Sequence, residues 1–166
     1  MTVVSDTSPI SYLVLIEREE VIPKLYGDIL VPDTVYRELV HPRGPELVRE
    51  RISDSPFWLN VKTSRPESGE QRSGKEEQGD LKDLDMGERE AILLAVREGE
   101  SLLLIDEQAG RAVAQKRDVK VTGTIGVLGA AAQKGLIDPA RAAGDLRETT
   151  FRASSDLYRW LLDKRQ

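Results

Sequence analysis

Two aspartates follow directly on short apolar runs that read as β-strands. Asp6 comes after Val3-Val4-Ser5, and Asp106 after Leu102-Leu103-Leu104-Ile105. Ligands of open parallel sheets bind outside the carboxyl ends of the strands, where both acids would then stand. Either one alone also suits a turn or capping aspartate. Glu88 opens the run Glu88-Arg89-Glu90-Ala91-Ile92-Leu93-Leu94-Ala95-Val96, and Ala91, Ile92 and Ala95 share its helical face. A carboxylate on an inward face is costly unless it is paired or metal-bound. The plainer alternative is that Asp85, Glu88 and Glu90 are first-turn acids facing a helix dipole. Glu38 lies at the border of the stripe Val35, Tyr36, Leu39 and Val40, where by itself it reads as a solvated helix glutamate.

Four such acids, if they converge, suit Mg²⁺ or Mn²⁺, hard cations that take oxygen ligands. Two ions about 3.5–4 Å apart can activate a water and stabilise the leaving oxygen of a phosphodiester displacement. The composition leaves few other routes. With no cysteine, the chain has no thiol nucleophile, disulfide framework or thiolate zinc site. With one histidine, His41, it cannot build a His₃ zinc centre or an H-E-x-x-H protease. His41-Pro42 looks like a helix end, and Ser5, Ser8 and Ser11 have no histidine base in their local pattern. Asp6 begins D-T-S-P without a second Asp two residues on, so the aspartyl-phosphate dehalogenase-type motif is missing. Gly123-Thr124-Ile125-Gly126-Val127-Leu128-Gly129 lacks both the P-loop G-K-[ST] and the G-x-G-x-x-G spacing. It reads as close helix packing with Thr124 as N-cap. Trp58, Tyr158 and Trp160 read as core or interface aromatics.

The elements that must position these acids alternate along the 166 residues. Strands are predicted at Val3-Val4-Ser5, Ile29-Leu30-Val31, Phe57 to Val61 (a short edge strand), Leu102 to Ile105 and Lys120-Val121. Helices are predicted from Ser8-Pro9, as N-cap and first position, through Ile16. Others span Val21–Tyr26, Pro32-Asp33 to Val40, Pro45–Arg51, Met86–Glu98, Gln108–Arg117 and Thr124–Lys134, with Gly27, Gly99 and Gly135 as stops. Terminal helices are expected at Pro139–Arg147 and Ser154–Lys164. Strands alternating with helices argue an α/β fold with a mostly parallel sheet covered on both faces, in one domain over 1–166. Lys62 to Asp80 holds no apolar residue in 19 positions, and a mobile surface loop is expected there.

No apolar run reaches the roughly 18–20 residues of a membrane span. The start carries no basic leader, so a cytoplasmic protein without contact to membranes is expected. Residues 1–107 hold 13 basic and 23 acidic side chains, whereas 108–166 hold 11 and 6. That asymmetry suits an acidic site beside a basic surface. The overall −5 argues at first against a nucleic-acid partner. Setting aside the four candidate ligands leaves −1 on the rest, which weakens the objection.

In order along the chain, Asp6-Thr7-Ser8-Pro9-Ile10, Val31-Pro32-Asp33-Thr34-Val35-Tyr36-Arg37-Glu38-Leu39, Gly87-Glu88-Arg89-Glu90-Ala91-Ile92, Leu104-Ile105-Asp106-Glu107 with Arg111, and Gly123 to Leu128 resemble the PIN domain. More narrowly, they resemble its small prokaryotic VapC-like subgroup. The resemblance implies a Rossmann-like three-layer α/β/α sandwich and an Mg²⁺- or Mn²⁺-dependent ribonuclease acting on single-stranded RNA. Such proteins are typically the toxin of a toxin–antitoxin pair, a homodimer blocked by an antitoxin protein. By position, Asp6, Glu38, Glu88 and Asp106 match the family's metal-binding acids, and Ser8 its hydroxyl beside the first acid. Arg111 is the candidate phosphate contact, and Thr124 a further positioning residue. Two departures stand out. The third acid is Glu where many relatives have Asp, so Glu90 could share its role, and Glu107 stands where the family often has a second Asp. Leu157, Trp160 and Leu161 are candidates for a dimer interface or for core packing. The other readings on the same acids are a non-catalytic PIN-like binding module and a phosphatase or nucleotide hydrolase.

Overall fold

Val3, Leu102 and Leu104 pack into one apolar core, and their neighbours Val4, Leu103 and Ile105 into a second. Successive strand residues point to opposite faces, so strands apolar at every position can bury both faces only inside a covered parallel sheet. The computed structural model describes residues 1–63 and 79–164, and most of the polar run expected to be mobile, 64–78, lies outside them. Among the described residues the order is β1 (Thr2–Ser5), α1 (Thr7–Leu15), α2 (Val21–Tyr26), β2 (Ile29–Pro32), α3 (Asp33–Leu39), α4 (Glu46–Ser53) and β3 (Leu59–Lys62). A 3₁₀ turn (Leu81–Asp83), α5 (Met86–Arg97), β4 (Ser101–Leu104), α6 (Gln108–Lys116), β5 (Lys120–Thr122), α7 (Thr124–Gln133), α8 (Pro139–Arg147) and α9 (Ser155–Leu162) follow.

All the strand pairs are parallel, in the order β3-β2-β1-β4-β5. The first core gathers α1, α2, α3, α4, α7, α8 and α9, and the second gathers α5 and α6. The result is the expected α/β/α arrangement, with β3 at a sheet edge. No helix of the described residues is long and apolar enough to cross a membrane.

Two helix starts differ from the expectation. α1 is capped by Asp6 rather than Ser8, so Pro9 is its third residue. The first four N–H groups of a helix lack internal partners, and a proline there removes nothing the helix uses. α7 is capped by Gly123, and Thr124 is its first residue. The 3₁₀ turn escapes the sequence patterning because just two apolar residues mark it, yet Leu81 and Leu84 are both buried in the second core.

α9 packs on α7 and α8, and one of its contacts with α7 is tight. Ser154 caps α9, its hydroxyl accepting from Leu157 N–H at 3.2 Å, and Leu161 is fully buried while Trp160 and Leu157 stay largely exposed. Trp160 reaches α7 where Gly129 has no side chain, since a Cβ there would stand 2.5 Å from its Cη2. Alanine at 129 gains about 1 kcal/mol of helix propensity but overpacks this contact at a cost of about 1–3 kcal/mol. Gly129→Ala is therefore expected to lower stability by up to about 2 kcal/mol and to shift Trp160 emission, measured by denaturant titration and fluorescence. A variant as stable as the parent, with unchanged emission, would show that α9 does not depend on this packing.

Candidate active site

The connections β1 to β2 to β3 build the sheet in one direction, after which β4 pairs on the other side of β1. The strand order reverses between β1 and β4, and a crevice opens at the carboxyl ends of strands where such a reversal occurs. Asp6 stands at the end of β1, its N–H donating to the Leu104 carbonyl at 2.9 Å. Asp106 lies two residues beyond the end of β4. Glu88 is in the first turn of α5, buried beside Ala91 and Ile92, and Glu38 is near the end of α3.

These elements enclose a cleft of about 350 Å³ whose lining includes Asp6, Glu38, Asp85, Glu88 and Glu107. Asp106 faces an adjoining groove that shares Ser8, Tyr12, Glu107 and Thr150 with the cleft. The Asp106 carboxylate accepts from Ser8 Oγ at 2.8 Å, from Thr124 N–H at 2.7 Å and from Thr124 Oγ1 at 2.8 Å. In this arrangement the two hydroxyls proposed to position substrate hold a carboxylate instead. Glu38 accepts from Thr7 Oγ1. Two glycines make room for these acids. A Cβ at Gly87 would stand 2.7 Å from Glu38 Oε1, and one at Gly123 would stand 2.7 Å from Asp106 Oδ1 and 3.1 Å from Arg111 Nη1.

The cleft concentrates negative charge in a place poor in water. Asp6 is pushed up from 3.8 to about 8, first by burial and then by Asp85, Glu88 and Glu38, against a pull downward from the Thr7 backbone N–H. Glu88 is pushed up to about 7 by burial and by the charges of Asp85 and Glu107. Burial is the first cause of both shifts, and the neighbouring carboxylates add to it. The donors are carboxylate and hydroxyl oxygens, the set a hard divalent cation takes. Among the described residues no three Asp, Glu, His or Cys side chains are gathered closely enough to hold an ion as they stand. Asp106 accepts from Thr124 and Ser8 and Glu38 from Thr7 through one of its oxygens, hydrogen bonds that orient these carboxylates and leave acceptor capacity on them.

Of the remaining candidates, Glu107 lines the cleft and Glu90 is not among its lining residues. On a helix, two residues from Glu88 is nearly the opposite face, and Glu90 Oε2 is buried without a hydrogen-bond partner among the described residues. Arg111 lines the adjoining groove and makes no ion pair among the described residues. Asp85 is the acid that sequence reasoning treats as a helix acid alone. It does cap α5, accepting from Glu88 N–H at 2.8 Å, and it also faces the cleft. Its place just before Gly87-Glu88 is the signal that could have found it.

A family model described as a PIN domain matches residues 2–166. No curated protein and no solved structure matches the chain.

Between pH 4 and 8 the fold holds Asp6 protonated while the unfolded chain ionises it, so unfolding releases a proton and stability falls as pH rises through that window. In chelator, Asp6→Asn removes this liability and is expected to stabilise by about 1–3 kcal/mol, or roughly 2–10 °C in Tm, near pH 8. The gain should vanish near pH 4. Thermal melts across pH check this, and a variant that melts lower than the parent at pH 8 would contradict it.

Proposed function

The chain belongs to the PIN-domain family, whose members are generally nucleases, and we propose that it is a divalent-metal-dependent endoribonuclease acting on single-stranded RNA. The observation that carries the reading is the convergence of Asp6, Glu38, Glu88 and Glu107 on one cleft at the switch point, with Asp106 on its rim. Asp6, Glu38, Glu88 and Asp106 would hold Mg²⁺ or Mn²⁺, with Glu107 as a further ligand. A divalent ion supplies water activation and neutralisation of the leaving oxygen in phosphodiester hydrolysis. The chain's own contribution is placement. Asp6 and Asp106 are fixed at the ends of β1 and β4, Thr124 and Ser8 orient Asp106, and Asp85 fixes the first turn of α5 and so Glu88. Arg111, which with Asp106 borders the space a Cβ at Gly123 would take, makes no ion pair among the described residues, and it would receive a phosphate of the substrate.

The toxin role, a homodimeric state and an inhibitory antitoxin belong to the same proposal and rest on the family. Sedimentation is expected to show a dimer, and a monomer at tens of micromolar would contradict that part.

Cleavage of single-stranded RNA with Mn²⁺ or Mg²⁺ tests the activity. Asp6→Asn and Asp106→Asn are expected to lose roughly 100-fold or more of kcat, and Arg111→Ala roughly 10-fold of kcat/KM. Variants as active as the parent would overturn the assignment. Hydrolysis of mononucleotides with RNA left intact would favour the phosphatase reading, and metal-independent RNA binding without cleavage would favour the binding module.

A further inference from the structure

The groove beside the acidic cleft is the larger of the two, at about 910 Å³, and of its lining Ser8, Asp106, Glu107 and Arg111 have a part in the proposed nuclease site, whereas Phe151, Arg152, Leu157 and Trp160 have none. It runs between the start of α7 and α9. On one side lie Phe151, Leu157 and Trp160, on the other Arg111, with Arg152 at the segment that leads into α9. Leu157 and Trp160 are 49% and 41% exposed, a large apolar surface to leave in water. Neither Arg111 nor Arg152 makes an ion pair among the described residues, whereas the one α9 acid on the groove, Asp156, lies 4.0 Å from Arg159. The ridge between groove and cleft is built rigidly. The Tyr12 ring meets Phe151 edge to face at 5.0 Å, and its hydroxyl lies 2.9 Å from Thr150 Oγ1.

We propose that this groove is a nucleotide subsite, taking an unpaired base of the RNA against Phe151, Leu157 and Trp160 while Arg111 and Arg152 receive the flanking phosphates. The inference rests on the nuclease reading and deepens it by assigning where the strand goes after crossing the Tyr12 ridge. Three observations fix the ligand class. The groove is continuous with the carboxylate cleft through Ser8, Tyr12, Glu107 and Thr150, so a chain lying in one runs into the other. The rings of Phe151 and Trp160, the latter with Lys164 Nζ 4.5 Å over its centroid, stand beside guanidinium groups that make no ion pair among the described residues, a combination that suits the base and phosphate of a nucleotide. The volume falls within the about 300–1,000 Å³ of small-ligand sites, room for a nucleotide. A base held in a helix cannot offer its face to a side chain, so the subsite selects single strands.

The protein contains its own reporter, because Trp58 is buried and Trp160 faces the groove. A short labelled single-stranded oligoribonucleotide is titrated in chelator, reading its anisotropy together with tryptophan emission. Emission is expected to quench as anisotropy rises, and the quench should disappear in Trp160→Phe. Affinity should fall roughly 5- to 150-fold in Trp160→Ala, and by a smaller factor in Leu157→Ala, which disturbs packing less. Duplex RNA of the same sequence should not quench. Binding with unchanged Trp160 emission, or with full affinity in both alanine variants, would overturn the proposal. So would acrylamide quenching of Trp160 that falls with protein concentration in the absence of RNA, which would assign the groove to a second copy of the chain. Cleavage of the same oligonucleotide with Mn²⁺ is scored separately. Cleavage without a Trp160 signal removes the subsite and leaves the nuclease, whereas a Trp160 signal without cleavage keeps the subsite and removes the nuclease.

Discussion

Several carboxylates share a buried end of the sheet, none of them ion-paired with a cation among the described residues, and the rest of the architecture answers to that constraint. Asp6 is the centre of it. Its side chain sits at the end of β1, where burial and three neighbouring acids push its proton affinity up to about 8. Left to itself, this is an arrangement a fold should avoid, because buried like charges destabilise each other and neutralise by taking up protons. A chain keeps such a cluster when something outside it supplies the missing charge, and oxygen ligands around a cleft are suited to a hard divalent ion.

The fold makes this tolerable by rigidity. Two cores grip the sheet from either side, one through Val3 and Leu104 and the other through Val4 and Leu103, so the strand ends that carry Asp6 and Asp106 have little freedom to drift apart. Hydroxyl and backbone donors then hold individual carboxylates: Thr124 and Ser8 on Asp106, Thr7 on Glu38. Gly87 and Gly123 supply the space that these side chains occupy. Each neutral donor stabilises an anion without cancelling its charge, which keeps the cleft negative and its exchangeable ligands in place.

Much of this was legible in the residues. Apolar runs of three or four ending in Asp gave β1 and β4 with their acids, and the glycine stops at Gly27, Gly99 and Gly135 ended α2, α5 and α7 where expected. The inward face of Glu88 followed from helical spacing alone. What the residues did not reveal depends on long-range placement. Glu38 reads as a surface glutamate because its partner, Thr7, is 31 residues away. Asp85 reads as a first-turn acid because a helix dipole is a local feature, while its place on the cleft arises only when α5 packs beside β1. Ser8-Pro9 looks like a helix start because proline favours the first turn, but the preference does not say which position of that turn it takes. Trp160 and Leu157 have the spacing of a packed face, and only the path of α9 across α7 decides that Leu161 turns inward while Trp160 lines a groove.

The charge balance of the chain then takes on a spatial meaning. A cleft this acidic repels a phosphodiester backbone, so binding cannot begin there without help. Residues 108–166 carry 11 basic against 6 acidic side chains, and two of the basic ones, Arg111 and Arg152, stand on the groove that adjoins the cleft. On the proposed reading these arginines would meet a polyanion and lead it along the continuous surface to the acids, and Asp106, Glu107 and Asp156 stand on the same groove. On the same reading divalent ions would complete the site, because with them the cleft would become attractive to a phosphate. On this view the net −5 is compatible with a nucleic-acid substrate because its acidity is concentrated where ions would be held, and the recruiting surface lies beside it.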